Sequence, residues 1–166
     1  MRHAITLSVN GEPRPLEVEP ADVLLEVLRT RVGTKSPKPG CGQGDCGSCT
    51  VLLDGRTVRS CLVLAVEADE REIVTVEGVA STTLTAVQQR LVERSAFQCG
   101  YCAPGVVLSA LELLARTPSP DRHAVAEALS GNLCRCTGYA PIIDAVLAAA
   151  DEATARDTGA AAAEEA

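Results

Sequence analysis

The sequence predicts an α+β chain in two parts: a small sheet with one packed helix and a cysteine loop, then a bundle of about four helices. Three observations predict it. Up to about Gly78 apolar residues mostly alternate, as in strands, and beyond it they recur every three or four positions, as in helices. The turn-forming pairs Asn10-Gly11 and Asp54-Gly55 each separate two alternating runs. Finally, eight cysteines divide into two groups of four, one in each part.

Taken in order, "AITLSV" and "RPLEV" flank Asn10-Gly11 and read as a hairpin. "DVLLEVLRTR" places Leu24, Val27, Leu28 and Arg31 at helical spacing. A glycine-rich cysteine loop follows. "TVLLDGRTVRSCLVLAVE" reads as two strands around Asp54-Gly55, with Cys61 on the second, and "EIVTVEG" as a further strand. "TLTAVQQRLVERSAF" is a helix delivering Cys99. "APGVVLSALELLART" is a helix with Pro104 in its first turn and Val107, Leu111 and Leu114 on one face. "DRHAVAEALSGN" runs from an N-cap at Asp121 to a stop at Gly131. "APIIDAVLAAADEA" starts at a proline and carries Ile142, Ile143, Val146, Leu147 and Ala150 at helical spacing. From Thr154 onward no apolar face remains, and residues 154–166 are expected as a disordered tail. The expected domains are 1–78 and 79–153.

Composition narrows the function. At 166 residues the chain is one domain or two small ones, and its net charge of −7 argues against nucleic acid or an anionic membrane as partner. No apolar run approaches the ~18 residues that span a bilayer. "MRHAITLSVNGEPRP" has neither an apolar signal region nor a twin arginine, so the chain is expected in the cytoplasm. Cysteine is about 5% of the chain, below the ~8–10% of a disulfide scaffold. Thiols clustered in a reducing compartment bind metal or do redox work.

The first group, Cys41, Cys46 and Cys49, has the spacing C-x4-C-x2-C, with Cys61 further on. In the second, Cys99 and Cys102 form C-x2-C, and Cys134 and Cys136 form C-x-C. Four thiolates suit one iron–sulfur cluster or one structural zinc. The first spacing is that of plant-type [2Fe–2S] sites. Zinc knuckles are shorter and often include histidine, yet His3 and His123 lie beside neither group. Gly40, Gly42, Gly44 and Gly47 interleave the first group, where a loop around a cluster needs positive φ and close backbone approach. Each cysteine pair of the second group precedes a helix start, whose N–H groups and dipole favour thiolates.

"GCGQGDCGSCTVLLDG", "FQCGYCAPG" and "GNLCRCTGY" resemble the iron–sulfur subunit of the molybdenum hydroxylases, the family of xanthine dehydrogenase, aldehyde oxidoreductases and carbon monoxide dehydrogenase. The likeness covers roughly residues 3 to 150. It implies a plant-type ferredoxin-like (β-grasp) domain holding a [2Fe–2S] cluster on Cys41, Cys46, Cys49 and Cys61. A helical domain would hold a second on Cys99, Cys102, Cys134 and Cys136. The implied partners are a large subunit carrying a molybdenum–pterin cofactor and a medium subunit carrying FAD, in a dimer of heterotrimers. The chain would pass electrons from molybdenum towards flavin, with the helical cluster nearer molybdenum. Gln98 is the implied contact to the pterin. A stand-alone ferredoxin-like carrier and a zinc scaffold are the rival readings.

Two segments depart from the family pattern. "GTKSPKPGC" approaches the first cysteine by a longer path, through Ser36, Pro37, Lys38 and Pro39, and Ser48 stands where alanine is common. The Ser48 hydroxyl is expected to face water rather than a cluster sulfur. Lys35, Lys38 and Asp45 are expected in solvent or facing a partner, and Arg135 either offsets cluster charge or lies on the surface. All three aromatics, Phe97, Tyr101 and Tyr139, lie near cysteines of the second group, which predicts bulky, largely buried packing there. No residue has the setting of a general acid, base or nucleophile, so no substrate catalysis is expected of this chain alone.

Overall fold

Asn10 and Gly11 both take positive φ, 55° and 81°, the requirement of the tight turn that joins β1 (His3–Val9) to β2 (Glu12–Val18). Asp54 and Gly55, at 48° and 77°, do the same between β3 (Thr50–Leu53) and β4 (Arg56–Arg59). The last strand, β5 (Glu72–Val74), lies between the two hairpins, parallel to β1 and antiparallel to β3. The sheet order is therefore β2-β1-β5-β3-β4. A computed structural model supplies this description, which covers residues 2–79 and 83–164, with side chains as far as Glu152.

Leu7, Val9, Val51, Leu53 and Ile73 alternate along their strands and bury one face of the sheet. Against it packs α1 (Leu24–Val27), whose Leu24 and Val27 complete the first apolar cluster with Leu28. The expected single helix is here one α turn that widens over Leu28–Val32, where Gly33 N–H reaches back five residues to Leu28 at 2.9 Å. Gly33, at φ 91°, ends it in the left-handed cap that glycine takes without strain.

Two strand expectations are corrected. β4 ends at Arg59, and Cys61 lies in the turn beyond it, because the chain folds back. Ser60 Oγ donates to the Cys49 carbonyl (2.6 Å), and Leu62 N–H donates to Arg59 (2.8 Å). "LVLAVE" then makes an isolated bridge, Val23 to Leu64, and a short 3-10 turn, Ala65–Ala68. The strand "EIVTVEG" stops at Val74, and the chain turns into the one-turn helix α2 (Val76–Val79). Asn10 Oδ1 accepts the Thr75 N–H at 2.8 Å and draws the chain off the sheet there.

The helical part follows the sequence expectation closely. In α3 (Ala86–Glu93), Thr85 and Gln88 form a reciprocal capping box. Next come α4 (Ala103–Arg116), with Pro104 in its first turn, and α5 (Arg122–Leu129), whose cap Asp121 accepts the Ala124 N–H at 2.7 Å. Val87, Leu91, Val106, Ala110, Val125, Leu129, Ile142 and Val146 form the second apolar cluster. The expected stripe on α4 is only partly buried, at Val107, while Leu111 and Leu114 are half-buried. Val106, Leu108 and Ala110 are buried as well, because α4 packs on both the bundle and β3. The last helix, α6 (Ala140–Glu164), continues past Thr154, where a tail was expected. That run is rich in alanine, the strongest helix former. Residues 165–166 of the expected tail lie outside the described residues.

The two clusters are joined by polar contacts. Glu112 of α4, nearly buried, pairs with Arg56 (2.8 Å) and accepts from the Thr57 hydroxyl (2.6 Å) on β4. Burial would raise its carboxyl, but the Thr57 hydrogen bonds and the flanking arginines hold it low. Arg59 spans from β4 to the Gly131 carbonyl (2.8 Å) and to Thr50 Oγ1 (2.8 Å).

Candidate functional site

Both groups of cysteines sit on the seam between the two apolar clusters. In the first loop Gly42, Gly44 and Gly47 take φ of 70°, 85° and 71°, conformations that side chains resist. The loop thereby aims N–H groups at sulfur: those of Gln43 and Cys46 each lie 3.4 Å from Cys41 Sγ, and that of Cys41 lies 3.4 Å from Cys46 Sγ. The N–H of Cys46, then that of Gln43, lowers the Cys41 thiol to about 7. Cys49, buried, lies 3.4 Å from Cys61, sulfur to sulfur. Burial, reinforced by Cys49, pushes the Cys61 thiol up to about 11.

The second group also brings its thiols together in pairs. Cys99 and Cys136 approach to 3.5 Å. Cys102 and Cys134 share a hydrogen bond, and Thr137 Oγ1 donates to Cys134 Sγ at 3.2 Å. Burial pushes Cys102 up to about 12, while Cys99 is exposed and lowered, first by the Tyr101 N–H. Cys102 stands at the N-cap of α4. Each group thus holds thiols favoured as thiolate, Cys41 in the first and Cys99 and Cys134 in the second, beside thiols that burial or a neighbour holds back from ionising, Cys61 in the first and Cys102 and Cys136 in the second.

The donor chemistry fits an iron–sulfur group. A [2Fe–2S] cluster takes two thiolates on each iron, and its cations ionise thiols that burial keeps protonated. Two pairs per group match that demand. Among the described residues, no three cysteine, histidine or acidic side chains converge as they would on a single ion.

The two groups touch through a buried hub. Asn132, 1% exposed, donates from Nδ2 to the Gly47 carbonyl (3.3 Å) and Thr50 Oγ1 (3.4 Å), and its Oδ1 accepts from Ser109 (2.8 Å). Leu133 N–H donates to the Cys46 carbonyl at 2.9 Å. Tyr139 Oη accepts the Cys134 N–H (2.8 Å) and donates to the Asn132 carbonyl (3.3 Å). Asn132, Arg59 and Glu112 were not singled out from the sequence. Their only signal was a polar residue at the edge of an apolar run or, for Glu112, inside one.

The remaining candidates separate. Gln98, exposed, donates from Nε2 to the Cys136 carbonyl at 3.0 Å, which ties the two halves of the second group together. Lys35 and Asp45 are exposed, as expected, and Arg135 is exposed as well, the second of its two expected settings. Ser48 is only 5% exposed, so its hydroxyl does not face bulk water, because the loop folds it against Gly40. Lys38 is not simply solvated: its ammonium lies 5.4 Å from the centroid of the Tyr101 ring. The expected buried wrapping of the second group is also corrected. Phe97 and Tyr139 pack against the bundle, but Tyr101 is 45% exposed and turns toward the first loop. An apolar groove of about 470 Å³, lined by Leu84, Leu91, Val92, Phe97 and Pro104, opens beside Gly100.

Comparison with known proteins matches residues 7–76 to a 2Fe-2S iron-sulfur cluster binding domain and residues 75–147 to a [2Fe-2S] binding domain. The chain is 48% identical over 143 residues to the nicotinate dehydrogenase small FeS subunit of Eubacterium barkeri, covering 86% of this chain and 91% of that protein. It superposes on a chain of quinoline 2-oxidoreductase from Pseudomonas putida 86 with a TM-score of 0.88 and 47% identity, covering 92% and 96% of the two chains. The aldehyde oxidoreductase of Desulfovibrio desulfuricans gives a TM-score of 0.87 and 42% identity, with 92% of this chain matching 17% of that longer one.

Proposed function

The chain belongs to the iron–sulfur subunits of the molybdenum hydroxylases, and on that premise we propose where it holds its two [2Fe–2S] clusters and how it sits in its complex. It is an electron-transfer subunit working with a large catalytic subunit. Cys41, Cys46, Cys49 and Cys61 hold one cluster, and Cys99, Cys102, Cys134 and Cys136 hold the other. When bound, such clusters supply one-electron redox chemistry at potentials the protein sets. The observation that carries the assignment is the pairing of thiols within each group, with sulfur–sulfur separations of 3.4 Å for Cys49 and Cys61 and 3.5 Å for Cys99 and Cys136.

The chain's own residues then have three tasks. The N–H groups of Gln43 and Cys46 stabilise negative charge on Cys41, and Thr137 does so on Cys134. Asn132 and Leu133 hold the two groups in fixed relation. The exposed Cys99 and the apolar groove beside Gly100 give the second group a face toward the large subunit, with Gln98 beside it as the pterin contact. That face makes the second group the entry point for electrons and the first loop the exit. Residues 1–78 are the ferredoxin-like unit and 79–153 the helical unit, a division the two apolar clusters support. A medium subunit carrying FAD completes a heterotrimer, two of which associate in the cytoplasm. Among the described residues no helix is long and apolar enough to cross a membrane.

Metal analysis of the purified complex tests the assignment. The expected content is four irons and four acid-labile sulfides per chain, with two distinct signals on reduction. Zinc in place of iron, or a fully loaded sample with iron for one cluster only, refutes it. Cys49→Ser and Cys136→Ser are each expected to remove one signal and leave the other.

A further inference from the structure

We propose that Lys38 is a positioning residue for the second cysteine group: clasped by Tyr101, its fixed positive charge makes the cluster on that group easier to reduce. The proposal rests on the assignment of Cys99, Cys102, Cys134 and Cys136 as cluster ligands.

Lys38 lies in the lengthened approach to the first cysteine, between Pro37 and Pro39. Both prolines restrict the backbone around it. The Lys38 N–H donates to the Ser48 carbonyl (2.9 Å), and Arg29 Nη1 donates to the Pro37 carbonyl (2.7 Å). The backbone is therefore held at both ends, and the side chain crosses to the other half of the molecule. There Nζ lies 3.3 Å from the Tyr101 carbonyl and 3.4 Å from that of Ser36. The ammonium also sits 5.4 Å from the Tyr101 ring centroid, within range of cation–π attraction. Tyr101 closes the clasp by donating its hydroxyl to the Pro39 carbonyl at 2.5 Å.

Tyr101 occupies the Cys99–Cys102 loop, directly before Cys102. The ammonium is thus anchored to the backbone that carries two thiols of the second group. Neither carbonyl partner neutralises it, and Glu77, the carboxylate whose charge acts on it, makes no ion-pair contact with it among the described residues. Reduction adds one electron, supplied by substrate oxidation in the large subunit, and so one negative charge to an already anionic cluster. A cation held nearby favours the reduced form, and more so where protein displaces water.

A potentiometric titration of the complex followed by electron paramagnetic resonance tests this, because the two clusters give separate signals. In Lys38→Met the reduction equilibrium of the second cluster is expected to fall by about tenfold, or ~59 mV for one electron. The first cluster should move less, and Lys38→Arg should return the second towards the native value. Tyr101→Phe, which keeps the ring and carbonyl but loses the Pro39 bond, should shift the second cluster the same way by less. Unchanged potentials in a fully loaded Lys38→Met complex, or a shift confined to the first cluster, overturn the proposal. Should Lys38→Met lose iron, Lys38→Gln, which keeps a donor and removes the charge, must show the same shift or the proposal fails. Failure of the ligand assignment is distinguishable, because the second signal would then be missing from the native complex.

Discussion

Leu133 donates its backbone N–H to the carbonyl of Cys46 at 2.9 Å, so the residue before Cys134 is bonded to a cysteine of the first group. One hydrogen bond thus links the backbones of the two cysteine groups. The Leu133 side chain contributes little to this, being 54% exposed. Leu133→Ala should therefore change stability by less than about 0.5 kcal/mol. Leu133→Pro removes the N–H and leaves the carbonyl without its partner, at a cost on the order of 1–3 kcal/mol. Time-resolved reduction of the complex should show slower exchange between clusters in the proline variant alone. Equal rates in both variants would show that this bond does not couple the groups.

Gly105 reverses the usual effect of glycine in a helix. Replacing an interior helical glycine by alanine normally stabilises by about 0.5–1 kcal/mol. At Gly105 a Cβ would stand 2.4 Å from the Gly47 carbonyl oxygen and 2.7 Å from Asn132 Nδ2. Helix and cysteine loop would have to separate, which costs about 1–3 kcal/mol. Thermal melting of Gly105→Ala should fall by roughly 2–4 °C for each kcal/mol lost. A rise in melting temperature would mean that the seam is looser than described.

How much of this was legible in the sequence depends on the range of the cause. Both hairpin turns, the Asp121 cap and the division of the cysteines follow from neighbours along the chain, and all could be read there. Cys61 was misplaced because strand alternation continues through it, while the turn is imposed by the contact of Ser60 with Cys49 eleven residues earlier. Lys38 is expected in solvent or facing a partner, and Ser48 facing water, because polarity is the only local cue. Tyr101 and Gly40, which contact them, come from the other half of the chain and from the loop's own fold. The Asn132 hub joins residues more than eighty positions apart, a relation that periodicity does not record.

Glu77 sets a pH dependence on the approach loop. Its carboxylate accepts the N–H groups of Lys35 and Ser36, both at 2.8 Å, the Ser36 hydroxyl, and the Thr75 hydroxyl at 2.7 Å. Burial alone would raise it, but hydrogen bonds from Ser36 and Thr75 and the two N–H groups hold it at about 2. The unfolded value is about 4.3. Its contribution is therefore complete above pH ~5 and lost as pH falls towards 2. Glu77→Gln keeps the size but loses charge and acceptor capacity. The group is partly exposed, so water screens part of the loss, and a decrease of about 2 °C in melting temperature is expected. That decrease should be equal at pH 7 and pH 5. A deficit that disappears between those values would place the titration elsewhere.

Removal of the chain from Thr154 onward should leave both clusters and the fold intact. The apolar core of α6 is carried by Ile142, Val146, Ala149 and Ala150, all at or below 3% exposure. Beyond these, Glu152 pairs with Arg90 of α3 at 2.8 Å and ties the helix to the bundle. Both features precede the cut, and all eight cysteines lie upstream of it. The shortened chain should retain four irons and melt within about 1 °C of the full one, as expected for a change outside the core. Cutting earlier, after Ala148, removes Ala149, Ala150 and the Arg90 partner together. That variant should melt several degrees lower, by roughly 2–4 °C per kcal/mol of lost burial and pairing. Iron loss in the Thr154 truncation would show instead that the end of α6 is needed to hold the second cysteine group.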